Sequence, residues 1–298
     1  MESMNTNAIH IVLMGDSDMS RWPPSLYPTI PTADTILFST APANDANQQN
    51  LQNNHDKCQA DLPRVPSSTI QNIGVGGAEM ACLRNQLRQW REEKNDIQST
   101  RHGQRDHLSN ETIIFVACAG ENDIGSGRSL DQILDTFRSF LDDLYCLFSP
   151  LAHSTTGNDN IDIKIKRNHA NNYDGSTSSH KINHSNNNNF HLIFIGPKLE
   201  PWLSKDFSSR KQYAKLSNGL QRCMRKHSGH NSNSGRMTYV DCLTLFCTED
   251  TANVPGAVHG GRAVPDPVYF DGDGLHLSEV GYAVWKEMIE KEILTLLM

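Results

Sequence analysis

Short apolar runs that alternate with helical stripes constrain the fold of this chain more than any other sequence feature. The clearest run is residues 112–119, and residues 9–14 form a second run that ends at Gly15. Residues 130–147 instead place apolar side chains three and four positions apart, which is the spacing of an amphipathic helix. Continuous apolar strands separated by helices are typical of a parallel sheet that is covered on both faces. The pattern therefore predicts an α/β protein with a doubly wound parallel sheet.

The other predicted elements follow the same alternation. Ser129 and Gln132 form a capping-box pattern that predicts the start of the helix at 130–147, and Pro150 ends it. Ser278 is the predicted cap of a last amphipathic helix near the C-terminal end. Further strands are predicted at residues 35–39, 68–72, 191–195 and 237–241, and further helices at 78–90 and 213–227.

Three polar stretches interrupt this pattern, at about residues 41–62, 91–110 and 153–189. They are rich in Asn, Ser, His, Gln and charged residues, and they account for the low apolar fraction of the whole chain, 37%. Such segments cannot bury enough apolar surface to order themselves. We therefore predict a single domain over residues 1–298 that contains three low-complexity insertions.

Charge and cysteine content exclude several classes of protein. The chain has 27 Lys and Arg against 34 Asp and Glu, whereas nucleic-acid binding needs a basic face. Its 7 Cys are scattered without a CxxC motif, so neither a disulfide scaffold nor a zinc module is expected. No apolar run reaches membrane-spanning length, and the N-terminal residues lack a signal-peptide pattern. We expect a cytoplasmic protein with reduced thiols, no nucleic-acid partner and no stable membrane anchor; the sequence does not indicate an oligomeric state.

Polar motifs follow the predicted strands, and the carboxyl ends of parallel strands meet at one edge of a sheet. These motifs are Gly15-Asp16-Ser17, the glycine-rich segment Gly74-Val75-Gly76-Gly77, Gly120-Glu121-Asn122-Asp123 and, near the end of the chain, Asp271-Gly272-Asp273-Gly274-Leu275-His276. A serine, several glycines, an amide and an Asp/His pair are therefore predicted to converge on one site.

Ester hydrolysis needs this set of groups. A serine hydroxyl such as that of Ser17 becomes a nucleophile when a nearby base takes its proton, and the imidazole of a histidine such as His276 is the side chain that most often acts as this base. An aspartate holds the imidazole in the correct tautomer. Asp273 lies on the same side of one turn as His276, and Asp271 is the competing candidate. Backbone N–H groups at Gly and Ser, together with an Asn amide, can stabilise the oxyanion.

The four motifs, in this order, resemble the sequence blocks of the SGNH hydrolases, which are also called GDSL-type esterases and lipases. The wording of the third and last motifs is similar to the platelet-activating-factor-acetylhydrolase-like branch. The resemblance implies a three-layer α/β/α fold with a five-stranded parallel, flavodoxin-like sheet, and no metal or organic cofactor. It implies acyl-enzyme chemistry in which Ser17 is the nucleophile, His276 the base and Asp273 its orienting carboxylate. The implied oxyanion hole consists of the Ser17 and Gly77 N–H groups and the Asn122 side chain.

Two other functions remain open from the sequence. Asp16-Ser17-Asp18 also resembles the Asp-x-Asp motif of haloacid-dehalogenase-like phosphatases, which would use Mg²⁺ and Asp16 as nucleophile. Ser20 stands where that family has Thr or Val, and His276 would have no role in it. The other alternative is a hydrolase-like binding protein whose site is catalytically idle.

Bulky residues and prolines are concentrated in the segments predicted to surround the site, at residues 18–27, 198–207 and 264–270. Trp22 and Trp202 are candidates for contact with substrate, although either position also fits a packing residue. Stiff, bulky rims favour a closed acyl pocket, and the sequence shows no amphipathic lid helix. We expect a small-molecule ester with an acetyl or other short acyl group as substrate.

Overall fold

A five-stranded parallel sheet forms the centre of the computed structural model, which describes residues 8–30, 68–100, 111–148, 189–205, 207–228, 235–249 and 263–297. The strand order is β2-β1-β3-β4-β5, and every neighbouring pair is parallel. The strands are β1 (Ile9–Gly15), β2 (Ser68–Asn72), β3 (Thr112–Cys118), β4 (Asn189–Ile195) and β5 (Arg236–Val240). The predicted doubly wound parallel sheet is confirmed.

Helices connect these strands. They are α1 (Ser17–Arg21), α2 (Met80–Thr100), α3 (Glu121–Gly125), α4 (Leu130–Phe148), α5 (Phe207–Ser228) and α6 (Glu279–Leu297), with short 3-10 helices at Pro24–Leu26, Pro201–Lys205 and Pro267–Tyr269. The predicted capping box is confirmed, because the Ser129 N–H donates to Gln132 Oε1 at 3.0 Å and the Gln132 N–H donates to Ser129 Oγ at 3.3 Å. None of the described helices is both long and apolar enough to span a membrane.

The sheet separates two apolar cores, because successive side chains of a strand point to opposite faces. In β3, Phe115 packs with α2, α4 and α5 on one face, whereas Ile114 packs with α1 and α6 on the other. The first core contains Trp90 of α2 and the second contains Trp285 of α6. The predicted three-layer α/β/α arrangement is therefore confirmed.

Strand register brings the predicted motifs to one edge of the sheet. Gly15 of β1 lies opposite Cys118 of β3, which in turn lies opposite Ile195 of β4. On the other side of β1, Leu13 lies opposite Asn72 of β2. The segments that leave β1, β2, β3 and β4 consequently begin side by side.

Two features differ from the sequence prediction. Helix α2 continues to Thr100, so the first part of the predicted insertion at 91–110 is helical. Its Arg, Glu, Lys and Gln residues favour helix even on a solvated surface, and Gln89 bonds Glu93 one turn ahead. A small antiparallel pair, β6 (Cys247–Glu249) and β7 (Ala263–Pro265), was not predicted because three-residue strands show no periodicity.

Other predicted segments lie outside the described residues. They are the predicted strand at 35–39, the insertion at 41–62, residues 101–110, and the insertion at 153–189 except Asn189, which begins β4.

Candidate active site

Ser17 begins α1 immediately after β1. Gly15 has a φ of +145°, and a Cβ added there would lie 2.2 Å from the Cys118 carbonyl oxygen, so the turn requires glycine. The Asp16 carboxylate caps the helix by accepting the Asp18 N–H at 3.1 Å. The Ser17 N–H, one position earlier, lies outside the intrahelical bonds. Residue 17 thus presents both a hydroxyl and a backbone N–H at the edge of the sheet.

Burial gives Asp16 a structural role. Its side chain is buried, and desolvation, followed by the neighbouring Asp18 and Glu121 charges, raises its pKa well above the usual value. A buried carboxyl group whose pKa is raised and whose oxygen caps a helix is a poor nucleophile. The geometry therefore does not favour the phosphatase alternative.

His276 and Asp273 form a direct pair. The distance between His276 Nδ1 and Asp273 Oδ2 is 2.6 Å, and Asp273 Oδ1 accepts the N–H groups of Leu275 and His276 at 2.9 and 3.0 Å. The hydrogen bond from the ring, and then those from the backbone, lower the pKa of Asp273. Asp271, the competing candidate, contacts His276 only through the backbone, where its N–H donates to the His276 carbonyl at 2.8 Å.

The loop that carries this pair is attached to α1. The Leu277 N–H donates to Asp18 Oδ1 at 3.2 Å, and the Tyr282 hydroxyl donates to the Asp18 carbonyl at 2.9 Å. The residues next to Ser17 and next to His276 are therefore in direct contact. The Ser17 hydroxyl and His276 Nε2 have no hydrogen-bond partner among the described residues. Catalytic hydrogen bonds often close only when substrate is bound.

The glycine-rich loop after β2 packs on the same helix. The Val75 N–H donates to the Gly15 carbonyl at 2.9 Å, and Asn72 Nδ2 donates to the Met19 carbonyl at 2.7 Å. A Cβ at Gly74 would lie 2.7 Å from the Ser20 nitrogen, so only glycine permits this approach. Gly77 is exposed with a φ of +72° and open space around it. Its N–H is accessible to a substrate oxygen.

Asn122 lies against this glycine loop. Its Nδ2 donates one N–H to the Ala78 carbonyl at 3.1 Å, which leaves the second N–H of the amide for another acceptor. The adjacent Asp123 is buried and accepts the Met80 N–H at 2.7 Å, so it holds the start of α2. The Asn122 amide therefore contacts the backbone one residue after Gly77, at the Ala78 carbonyl.

A buried charged cluster beneath the site was not predicted from the sequence. The Lys198 ammonium, only 1% exposed, lies 2.6 Å from Asp18 Oδ2, 2.9 Å from Glu121 Oε2 and 3.3 Å from Glu200 Oε1. We refer to these four residues as the Lys198 cluster. Lys198 and Glu200 follow β4 at the same sheet edge as the other motifs, and this position is the sequence signal that could have identified them.

Charges in the Lys198 cluster depend on one another. Burial, and then repulsion from Glu121, raises the pKa of Glu200 to about 9. For Lys198, burial opposes the charged form, but Asp18, Glu121 and Glu200 together raise its pKa well above the usual value. Glu200 is therefore protonated and Lys198 charged at neutral pH. No group of three or more potential metal ligands is open for a metal ion in the part of the chain that the structure describes.

The two predicted substrate contacts differ in exposure. Trp202 is 56% exposed, and its indole N–H donates to Glu200 Oε2 at 2.6 Å. Pro201 beside it approaches the His276 loop, because a Cβ at Gly274 would lie 3.6 Å from Pro201 Cβ. Trp22, by contrast, is only 1% exposed and packs in the core against Tyr282 and Trp285. This burial disagrees with the prediction that Trp22 contacts substrate.

Comparison with known proteins gives structural likenesses only. No family model matches the chain, and no curated protein matches it. Similar solved structures include a lipase/acylhydrolase from Enterococcus faecalis, with 14% identity over 97% of this chain and 96% of the other, and a TM-score of 0.42. A member of the lipolytic G-D-S-L family from Veillonella parvula shares 14% identity over 95% of this chain and 97% of the other, with a TM-score of 0.43. An acetylxylan esterase from Geobacillus stearothermophilus shares 13% identity over 96% of this chain and 94% of the other, with a TM-score of 0.44. The four sequence motifs resemble the same G-D-S-L group.

Proposed function

We propose that this chain is a serine esterase of the SGNH type, which hydrolyses carboxylic esters through an acyl-enzyme. The observation that carries the proposal is the 2.6 Å contact between His276 Nδ1 and Asp273 Oδ2, in a loop that is bonded to the helix of Ser17 through Asp18 and Leu277. A base with an orienting carboxylate beside a serine at a helix start is the arrangement that activates a hydroxyl.

In the first half-reaction, the Asp273 carboxylate accepts a hydrogen bond from the His276 Nδ1–H group, which leaves the unprotonated Nε2 as the base. Nε2 takes the proton of the Ser17 hydroxyl while the Ser17 oxygen bonds to the ester carbonyl carbon. The negative charge that develops on the carbonyl oxygen is stabilised by N–H groups of Ser17, Gly77 and Asn122. Collapse of this intermediate breaks the bond to the alcohol, which leaves with the proton from His276.

In the second half-reaction, water replaces the alcohol. His276 removes a proton from the water molecule as its oxygen bonds to the acyl carbon of the Ser17 ester. The same N–H groups stabilise the second oxyanion, and the carboxylic acid leaves as the proton returns to Ser17. The net change is the hydrolysis of one ester bond, with no cofactor in any step.

A small substrate with a short acyl group is part of this proposal. Large exposed apolar side chains occur on three loops that hold site residues. They are Val75 beside the glycine turn, Leu275 beside His276, and Trp202, whose indole N–H donates to Glu200. These are isolated side chains on separate loops. They provide contacts for a short acyl or leaving group, whereas a long chain needs a continuous apolar groove.

Alanine variants of two serines in the same helix test the proposal. Ser17→Ala should abolish hydrolysis of p-nitrophenyl acetate with an unchanged circular dichroism spectrum, because the hydroxyl makes no bond within the described structure. Ser20→Ala is the matched control, since its exposed hydroxyl donates only to the Ser17 carbonyl at 3.0 Å and activity should remain. Substantial activity in Ser17→Ala would contradict the nucleophile assignment.

A panel of substrates separates the alternatives. Wild-type protein should hydrolyse p-nitrophenyl esters best at acetyl or butyryl length and should not turn over p-nitrophenyl phosphate with added Mg²⁺. Phosphatase activity that depends on Asp16 would support the phosphatase alternative. Inactivity on every ester would support an idle binding site.

A further inference from the structure

Three segments of the candidate site meet at one buried ammonium group: α1, α3 and the segment that follows β4. We infer that Lys198 is a positioning residue for the proposed esterase reaction, which holds the nucleophile helix, the amide helix and the site rim in a single arrangement. The inference rests on the proposed function, because it concerns how the same site is assembled.

The first connection runs through Asp18. One carboxylate oxygen of Asp18 lies 2.6 Å from Lys198 Nζ, and the other accepts the Leu277 N–H at 3.2 Å. Asp18 follows Ser17, and Leu277 follows His276. The orientation that Lys198 imposes on this carboxylate therefore determines how the base approaches the nucleophile.

The second connection runs through Glu121. Both carboxylate oxygens contact Lys198, one at the backbone N–H at 2.7 Å and the other at Nζ at 2.9 Å. Glu121 is the first residue of α3, and Asn122 is the second. A bidentate contact fixes the position of the α3 terminus relative to β4. The same contact consequently fixes where the Asn122 amide can point.

The third connection runs through Glu200. One oxygen lies 3.3 Å from Lys198 Nζ, and the other accepts the Trp202 indole N–H at 2.6 Å. Trp202 is the most exposed large apolar residue among the described residues of the site rim, and this bond to a buried carboxyl group anchors its indole ring. Lys198 is therefore connected to Trp202 through Glu200, just as it is connected to Leu277 through Asp18.

A purely stabilising role would leave these relations unexplained. A buried ion pair contributes little net stability once desolvation is included, although removal of one partner leaves an uncompensated charge. In the Lys198 cluster the partners are the residues beside Ser17 and Asn122 and the acceptor for Trp202, not random core positions. Displacement of reacting groups by about 1 Å can reduce turnover by about 10²-fold.

The test is Lys198→Met, measured as turnover per active site. Titration with a fluorophosphonate counts the functional sites, so that loss of folded protein is separated from loss of rate per site. We expect kcat per titrated site for p-nitrophenyl acetate to fall by about 10²-fold, with a smaller change in KM. Lys215→Met, at an exposed position of α5, is the control and should behave as wild type.

Asp18→Asn keeps the experiment decisive if Lys198→Met does not fold. The amide oxygen can still accept the Leu277 N–H, but the charge that binds Lys198 is removed. We expect kcat per titrated site to fall by about 10-fold. A lower melting temperature with unchanged kcat per titrated site in both variants would overturn the inference. Failure of wild-type protein to react with any ester or fluorophosphonate would instead contradict the proposed function.

Discussion

Two groups of acidic and basic side chains flank Ser17, and they differ in their contact with solvent. The Asp273–His276 pair reaches the surface through Asp273, whose side chain is 44% exposed, whereas the His276 side chain is 10% exposed. The Lys198 ammonium on the other side is 1% exposed and has three carboxyl partners. The Asp273–His276 pair is thus partly open to solvent, whereas the ammonium of the Lys198 cluster is closed to it.

Asp273 and Glu200, one carboxyl group from each of these two groups, have opposite pKa shifts. Hydrogen bonds from His276 and the backbone lower the pKa of Asp273, which keeps it ionised at every pH near neutrality. Burial raises the pKa of Glu200 to about 9, which keeps it protonated. The same residue class thus serves as a charged orienter in one group and as a neutral hydrogen-bonding link in the other.

Removal of the proposed base, His276, should have the largest effect. His276→Ala should lower kcat for p-nitrophenyl acetate by a factor on the order of 10⁴ or more, because Ser17 then has no proton acceptor. His227→Ala is the matched control, since His227 also pairs with a carboxylate, Asp142, at 3.3 Å but lies near the end of α5. Equal losses of kcat in both variants would mean that the Asp273–His276 pair has no special chemical role.

Asn122 lies beside the Lys198 cluster, since its neighbour Glu121 belongs to that cluster. Asn122→Ala should lower kcat by about 10²–10³-fold, the usual effect of removing one oxyanion donor, with little change in KM. Asn218→Ala, at an exposed position of α5, provides the comparison in steady-state kinetics. A defect confined to KM would assign Asn122 to substrate binding rather than to the transition state.

The pH dependence of stability should distinguish the Lys198 cluster from the Asp273–His276 pair. Unfolded Glu200 loses its proton near its ordinary pKa of 4.5, whereas folded Glu200 keeps it until about 9. The unfolded state therefore binds fewer protons in this window, and stability falls as pH rises through it. Buried Asp16 acts in the same direction.

Urea unfolding of Glu200→Gln at pH 5 and pH 8 checks this prediction. The wild type should lose more stability between these two values than the variant, by an amount on the order of 2 kcal/mol. An identical loss in both proteins would show that Glu200 does not retain its proton when folded.

The Asp273–His276 pair was predictable from the sequence, whereas the Lys198 cluster was not. Asp273 and His276 are close in the chain, so a local turn is enough to bring them together. The strands before Ser17 and Asn122 were predicted from continuous apolar runs, which report burial on both faces of a sheet. Local patterns of this kind also gave the capping box and the α/β/α layers.

Contacts between distant segments left no local pattern. Lys198 reads as a solvated lysine until β4 is placed beside β3, and Asp18 reads as a helix-start residue. Trp22 fits a rim position in the sequence, but it packs against Trp285, which only the tertiary fold brings near. Helix α2 continues beyond Trp90 because polar residues can extend a helix without packing.

The most direct test of the account is to map where a fluorophosphonate binds to the wild-type protein. A single phosphonyl adduct on the Ser17 oxygen is expected, because the proposed mechanism makes that hydroxyl the nucleophile and His276 its base. Digestion followed by mass spectrometry should identify it, and the adduct should form far more slowly in His276→Ala. An adduct on a different residue, or none in protein that hydrolyses p-nitrophenyl acetate, would contradict the assignment of Ser17 as the nucleophile.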